Sequence, residues 1–173
     1  MIPQPFKHQT KTTEFLRNNP YVFCTSDPGT GKTRSVLDSI DLKEGRTLVI
    51  APKSILNPSW GEDIKRFTPH LSYSIASAPD RDAAFNLDTD IVLINHDGVS
   101  WVRNNTQYLD KFHTLIIDES TAYKHATSQR SKACLAISKF FERRVLLTGT
   151  PNPNGVLDLW HQIVRLYVRR ILI

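Results

Sequence analysis

Two clusters in this chain have residue types and spacing suited to chemistry: Gly29-Thr30-Gly31-Lys32-Thr33 and Asp118-Glu119. In the first, Gly29 and Gly31 admit backbone conformations closed to other residues, so successive N–H groups can converge on phosphate oxygens. A helix opening at this point adds its partial positive charge. Lys32 offers a cation to the outer phosphates, and Thr33 offers a hydroxyl to magnesium. In the second cluster, Asp118 suits metal binding and Glu119 suits polarising an attacking water. Each cluster also has a plainer reading, as a glycine-rich turn capping a helix and as an acidic pair opening one.

The elements that must position these residues argue for the chemical reading. Residues 21–25, Tyr-Val-Phe-Cys-Thr, read as a short buried strand directly before the glycine loop. After it, Val36, Leu37 and Ile40 fall at helical spacing over 34–40. Strand, glycine loop and helix is the context a phosphate loop needs, although Ser26 stands where the strict pattern has glycine. Residues 112–117 form a second apolar run, ending at Asp118-Glu119-Ser120-Thr121. Ligands of open α/β sheets bind outside the carboxyl ends of the strands, where such a carboxylate can face the loop. A third run, 144–147, leads into Thr148-Gly149-Thr150-Pro151, which suits either a sensor loop touching the acidic pair or an ordinary turn.

The remaining pattern predicts helices over 9–17, 55–67, 128–141 and 156–168, with strands at 47–51, 71–76 and 90–95. Pro58 interrupts the second helix early, and Trp60, Ile64 and Phe67 share one of its faces. Leu135, Ile137 and Phe140 are expected to turn inward from the third. Residues 78–82 read as a polar turn, and 97–112 as partly helical. Strands alternating with helices predict an α/β fold in three layers, with a mainly parallel central sheet flanked by helices.

The motifs in this order resemble the first RecA-like domain of a superfamily 2 helicase, most closely the Swi/Snf type of duplex DNA translocase. Gly29 to Thr33 is similar to motif I, Asp118 to Thr121 to the DExx box, and Leu147 to Pro151 to motif III. Phe6-Lys7-His8-Gln9 resembles the adenine-reading segment. Residues 49–56 resemble motif Ia, and 60–67 the tryptophan-bearing helix of this type. Ile94-Asn95-His96-Asp97 sits where motif Ib would fall, and 152–160 resembles the continuation into a leucine-tryptophan helix. The resemblance covers residues 3–166. One departure is Thr121, where histidine is more usual.

This resemblance implies a RecA-like P-loop domain that binds ATP and Mg2+ and belongs to a DNA-dependent ATPase. Gln9 would read adenine, and Asp27, Pro28, Gly29, Thr30, Gly31, Lys32, Thr33 and Arg34 would hold the nucleotide. Thr33 and Asp118 would hold the metal, with Lys32, Asp118 and Glu119 catalytic. Thr148, Gly149 and Thr150 would couple nucleotide state to double-stranded DNA, met through Lys53, Ser54 and His96. The expected domain is 1–167. Residues 168–173 form a tail at the boundary to a second RecA-like domain, which would supply an arginine finger in cis or in trans. Alone, the chain is expected to hydrolyse ATP slowly or not at all. Rival readings are a non-catalytic nucleotide- or DNA-binding module and a phosphate-loop kinase or GTPase. Glu119 argues against the first; the Gln9 segment and the Thr-Gly-Thr-Pro loop argue against the second.

Composition agrees with this class. The 173 residues suit one domain, and 40% hydrophobic with 23% charged residues is ordinary for a globular chain. No apolar run approaches a membrane span and the N-terminus lacks a secretory stretch, so a cytoplasmic site is expected (host cytoplasm if the source is viral). Cys24 and Cys134 have no metal-ligand company and read as reduced core residues. The net charge of +5 fits a nucleic-acid partner, and part of it lies at Lys124, Arg130, Lys132, Lys139, Arg143 and Arg144.

Overall fold

The computed structural model describes residues 2–25, 29–123, 125 and 127–149. Its centre is a six-stranded sheet in which every pairing is parallel: β1 (Tyr21–Cys24), β2 (Arg46–Ala51), β3 (Tyr73–Ala76), β4 (Ile91–Asn95), β5 (Phe112–Ile117) and β6 (Arg143–Leu147). Their order across the sheet is β1-β6-β5-β2-β4-β3. The inner strands are near-continuous aliphatic runs because a parallel sheet is covered on both faces.

Alternation along the strands sorts the core into two layers. Leu48, Ile50, Val92, Ile94, Leu115, Ile117 and Leu146 share one face. It is covered by α4 (Arg81–Asn86), α5 (Val99–Asn104) and α6 (Gln129–Ser138), through Phe85, Val102, Cys134 and Ile137. Val49, Ala51, Leu93, Ile116, Val145 and Leu147 share the other. It is covered by α1 (Lys7–Asn18), α2 (Lys32–Leu37) and α3 (Glu62–Phe67), with Leu16, Val36, Leu37 and Ile64 turned in. The three-layer α/β expectation therefore holds.

Several local expectations need correction. The stretch 53–67 is not one interrupted helix. A 3-10 turn (Lys53–Ile55) leads into a π-helical segment (Leu56–Gly61) and only then into α3. Pro58 lacks the N–H that regular α pairing uses, and the widened turn absorbs it. Residues 81–86 form α4, where the polar composition suggested part of a turn. On α6 only Ile137 of the three expected residues is fully buried; Leu135 is 40% and Phe140 39% exposed. Two residues along a helix is a rotation of roughly 200°, which sets Leu135 opposite Ile137, and Phe140 lies past the helix end. Ala133, Cys134 and Phe141 fill the core instead. Ser128 caps α6, its Oγ accepting from the Ser131 N–H at 3.1 Å.

Arg143 and Arg144 are not surface cations. Arg143 is 5% exposed, and its guanidinium donates to the Leu16 carbonyl at 3.1 Å, the Ser39 carbonyl at 3.1 Å and Ser39 Oγ at 2.7 Å. It fastens the ends of α1 and α2 to β6, and burial lowers its pKa. Arg144 donates to the Phe141 carbonyl and lies over the Tyr21 ring. Cys24 and Cys134 are both buried free thiols, as expected. No helix among the described residues is long and apolar enough to cross a membrane. The predicted helix 156–168 and the tail 168–173 lie outside the described residues.

Candidate active site

The register of β1, β6 and β5 brings the chemical residues to one edge. Cys24 pairs with Leu147, and Leu146 with Ile117, so the three strands end level with one another. The ladder runs one residue further on each side: Thr148 N–H donates to the Cys24 carbonyl at 3.0 Å, and Asp118 N–H to the Ile50 carbonyl at 2.8 Å. The glycine loop, Thr148 and Asp118-Glu119 thus leave the carboxyl ends of β1, β6 and β5 side by side, the place where open α/β sheets bind ligands.

Gly29 and Gly31 both hold left-handed backbone, at φ +79° and +77°. Gly31 also needs its bareness, since a Cβ there would sit 2.1 Å from Gln9 Nε2. Gln9 is buried against the loop. Its Nε2 donates to the Thr30 carbonyl at 3.4 Å, and its Oε1 accepts from the Phe6 N–H at 2.9 Å. His8 Nε2 also reaches the Thr30 carbonyl, at 3.0 Å. The first turn of α1 therefore splints the phosphate loop, and Gln9 keeps one N–H and one lone pair for a further partner. Lys32 and Thr33 open α2 and are half-buried.

The Arg34 side chain is committed elsewhere. It bonds Asp38 and the Pro3 carbonyl and lies 4.5 Å from the Phe67 ring centre, so any phosphate contact by Arg34 falls to its backbone N–H.

Asp118 and Glu119 divide in character. Asp118 is 8% exposed, and both carboxylate oxygens accept: Oδ1 from the Glu119 N–H at 2.9 Å, Oδ2 from Trp60 Nε1 at 2.9 Å. Glu119 is exposed and holds φ +52°, a left-handed conformation that costs a residue with a Cβ about 1–2 kcal/mol. Strain of this kind clusters at functional sites, and here it falls at a strand end beside a candidate phosphate loop.

The donor set fits ATP with magnesium. The left-handed Gly29 has nothing within 4 Å of where a Cβ would sit, which leaves room beside the loop. Among the described residues no cluster of three or more His, Cys, Asp or Glu could cage a metal. One carboxylate and a threonine hydroxyl in the first turn of α2 suit magnesium, which usually keeps waters and takes phosphate oxygens as ligands.

Lys53 and Ser54 are exposed on the loop after β2, at this same edge. His96 is buried instead, at 9% exposure, with Nδ1 2.9 Å from Tyr123 Oη. Burial, with the nearby Arg130 cation, lowers its pKa to about 4, while Asp97 and the Asp118 main chain pull the other way. Beside it Arg130 pairs with Asp97. Gly149 is half-buried and Thr148 fully buried; Asp27, Pro28 and Thr150 lie outside the described residues. Sequence reasoning singled out the Trp60 segment but not the bond to Asp118, for which a separation of 58 positions leaves no local signal.

Residues 8–172 match the sequence model of the SNF2-related domain. The protein p41 of Acyrthosiphon pisum secondary endosymbiont phage 1 is 30% identical over 92% of this chain and 38% of its own length. An uncharacterized ATP-dependent helicase of Mycoplasma genitalium is 30% identical over 89% of this chain and 16% of its own. The Saccharomyces cerevisiae ATPase of the ISWI chromatin-remodeling complex is also 30% identical, over 76% and 12%. This chain therefore spans well under half the length of these relatives. Among solved structures, the Sulfolobus solfataricus SWI2/SNF2 ATPase core in complex with double-stranded DNA superposes with a TM-score of 0.80 at 25% identity, covering 96% of this chain and 38% of that one. With motif order, parallel sheet and edge geometry all in agreement, the chain belongs to the SNF2-related domain family.

Proposed function

We propose that this domain binds ATP at the Gly29–Thr33 loop and is the first RecA-like half of a duplex-DNA-dependent translocase. The observation that carries the reading is the meeting of a left-handed glycine loop and a buried, doubly held Asp118 at one sheet edge. The ATP-dependent helicase relative and the DNA-bound SWI2/SNF2 core support ATP and DNA as ligands.

In this reading the loop N–H groups and Lys32 hold the phosphates, with Asp27, Pro28 and the Arg34 N–H completing the cradle, and Gln9 turns its remaining polar valences to adenine. Thr33 and Asp118 would hold magnesium, which neutralises phosphate charge when bound. Glu119, exposed at the end of β5, would orient the attacking water and accept its proton. Thr148 and Gly149 follow β6, between the strands that lead to the two clusters, and with Thr150 they would relay nucleotide state. Lys53 and Ser54 meet DNA phosphates, so affinity would fall with salt and ignore sequence. His96 would act from beneath this surface. The domain covers residues 1–167, and a second RecA-like domain, in cis or in trans, adds an arginine finger worth ~10³ to 10⁵ in rate.

The test is nucleotide binding and ATP turnover by the chain, with and without duplex DNA, against Lys32→Ala and Glu119→Gln. ATP should bind, and Lys32→Ala should abolish binding. Glu119→Gln should bind normally and lose whatever turnover the wild type shows. Wild-type protein that ignores ATP would overturn the proposal.

A further inference from the structure

Trp60 is fully buried and is set in the π-helical segment Leu56–Gly61. A π turn carries one residue more than an α turn and rotates the next helical residues by roughly 100°. The segment ends at Gly61, where no side chain fits: a Cβ there would come within 2.7 Å of Asn57 Oδ1 and 2.8 Å of Tyr73 Oη. The result is an indole N–H aimed at Asp118 Oδ2, 2.9 Å away. A buried tryptophan needs an acceptor, but a backbone carbonyl would serve. Here the acceptor is the buried carboxylate of the acidic pair, whose other oxygen is held by the Glu119 N–H.

The same stretch of chain begins at the exposed Lys53 and Ser54. It runs without a break through the 3-10 turn and the π segment to Trp60. One continuous stretch of chain is therefore exposed at Lys53 and Ser54 and reaches Asp118 through Trp60.

We propose that Trp60 is a positioning residue for Asp118. It fixes the carboxylate for metal and ties its orientation to the Lys53-Ser54 loop. The inference rests on the reading of Asp118 as a metal-holding group. An outer donor to a metal ligand typically governs affinity by about 10- to 100-fold. Phenylalanine at position 60 keeps a large ring and removes only the donor and part of the volume.

The experiment is calorimetric binding of ATPγS across a magnesium titration, for wild type, Trp60→Phe and Asp118→Asn. Trp60→Phe should bind the nucleotide unchanged without magnesium, and need about 10- to 100-fold more magnesium to reach the tightened state. A merely structural role would lower the melting temperature and leave this magnesium requirement alone. An unchanged requirement in Trp60→Phe, with the requirement altered in Asp118→Asn, overturns the inference and leaves the functional reading standing. No magnesium effect in wild type, or none from Asp118→Asn, overturns both.

Should Trp60→Phe fail to fold, the wild-type chain decides the matter through the 15N-labelled indole signal of Trp60, identified by elimination with Trp101→Phe and Trp160→Phe. That signal should resist exchange in D2O and move when magnesium is added to the nucleotide-loaded chain. A signal that stays still on magnesium addition overturns the inference.

Discussion

Replacing either loop glycine by alanine separates two costs that the structure assigns to different positions. Gly29 and Gly31 share nearly the same left-handed backbone, at φ +79° and +77°. Either alanine meets the same strain, about 1–2 kcal/mol. Nothing lies within 4 Å of a Cβ at position 29, whereas at position 31 it lands 2.1 Å from Gln9 Nε2. Gln9 can swing aside, since Nε2 is the tip of a flexible side chain. Doing so breaks its 2.9 Å bond from the Phe6 N–H and its 3.4 Å bond to Thr30. Only the shorter of these has good geometry, and one such bond is worth about 1 kcal/mol net. Gly31→Ala should therefore cost about 2–3 kcal/mol and Gly29→Ala about 1–2 kcal/mol. The excess belongs to Gln9, so it should vanish in a Gln9→Ala background, a coupling of about 1 kcal/mol. Urea unfolding of the four proteins in that cycle, with Gly29→Ala as reference, measures it. Equal costs at 29 and 31, or additivity of Gly31→Ala with Gln9→Ala, would refute the splint between α1 and the phosphate loop.

Two more outcomes are expected at the site. His96 has its pKa lowered from 6.5 to about 4, so between those values the unfolded chain binds a proton that the native one does not. Stability tied to His96 is whole above pH 6.5 and is lost as pH falls towards 4, by up to about 3 kcal/mol. Urea midpoints at pH 7, 5.5 and 4 should show this slope in wild type and lose it in His96→Gln; parallel slopes would sink the assignment. Glu119→Gly should relieve the φ +52° strain and raise stability by about 1 kcal/mol while abolishing any ATP turnover. An unchanged or lowered urea midpoint would show that position 119 stores no strain.

Short-range pattern is what made parts of this molecule legible in the sequence. The aliphatic runs at β2, β4 and β5 show buried parallel strands because each is covered on both faces. Gly29 to Thr33 and Asp118-Glu119 could be read because phosphate and metal chemistry constrains neighbours in the chain. Arginine was misread where charge suggested surface. Arg143 sits in β6 because three acceptors on Leu16 and Ser39, more than a hundred residues away, replace its water. Nothing near position 143 announces them.

The bonds that hold the site together belong to this second kind. Gln9 meets Thr30 across 21 residues, and Trp60 meets Asp118 across 58. In both cases a motif residue is held by a side chain from another motif of the same chain. The two ties act at different parts of the candidate site, one on the glycine loop and one on the Asp118 carboxylate. A motif table treats these segments as separate contributors to ATP binding. In the folded domain each also sets the geometry of another, so a substitution at Gln9 or Trp60 should be felt at the phosphate loop or at Asp118 before any direct contact to nucleotide or DNA is considered.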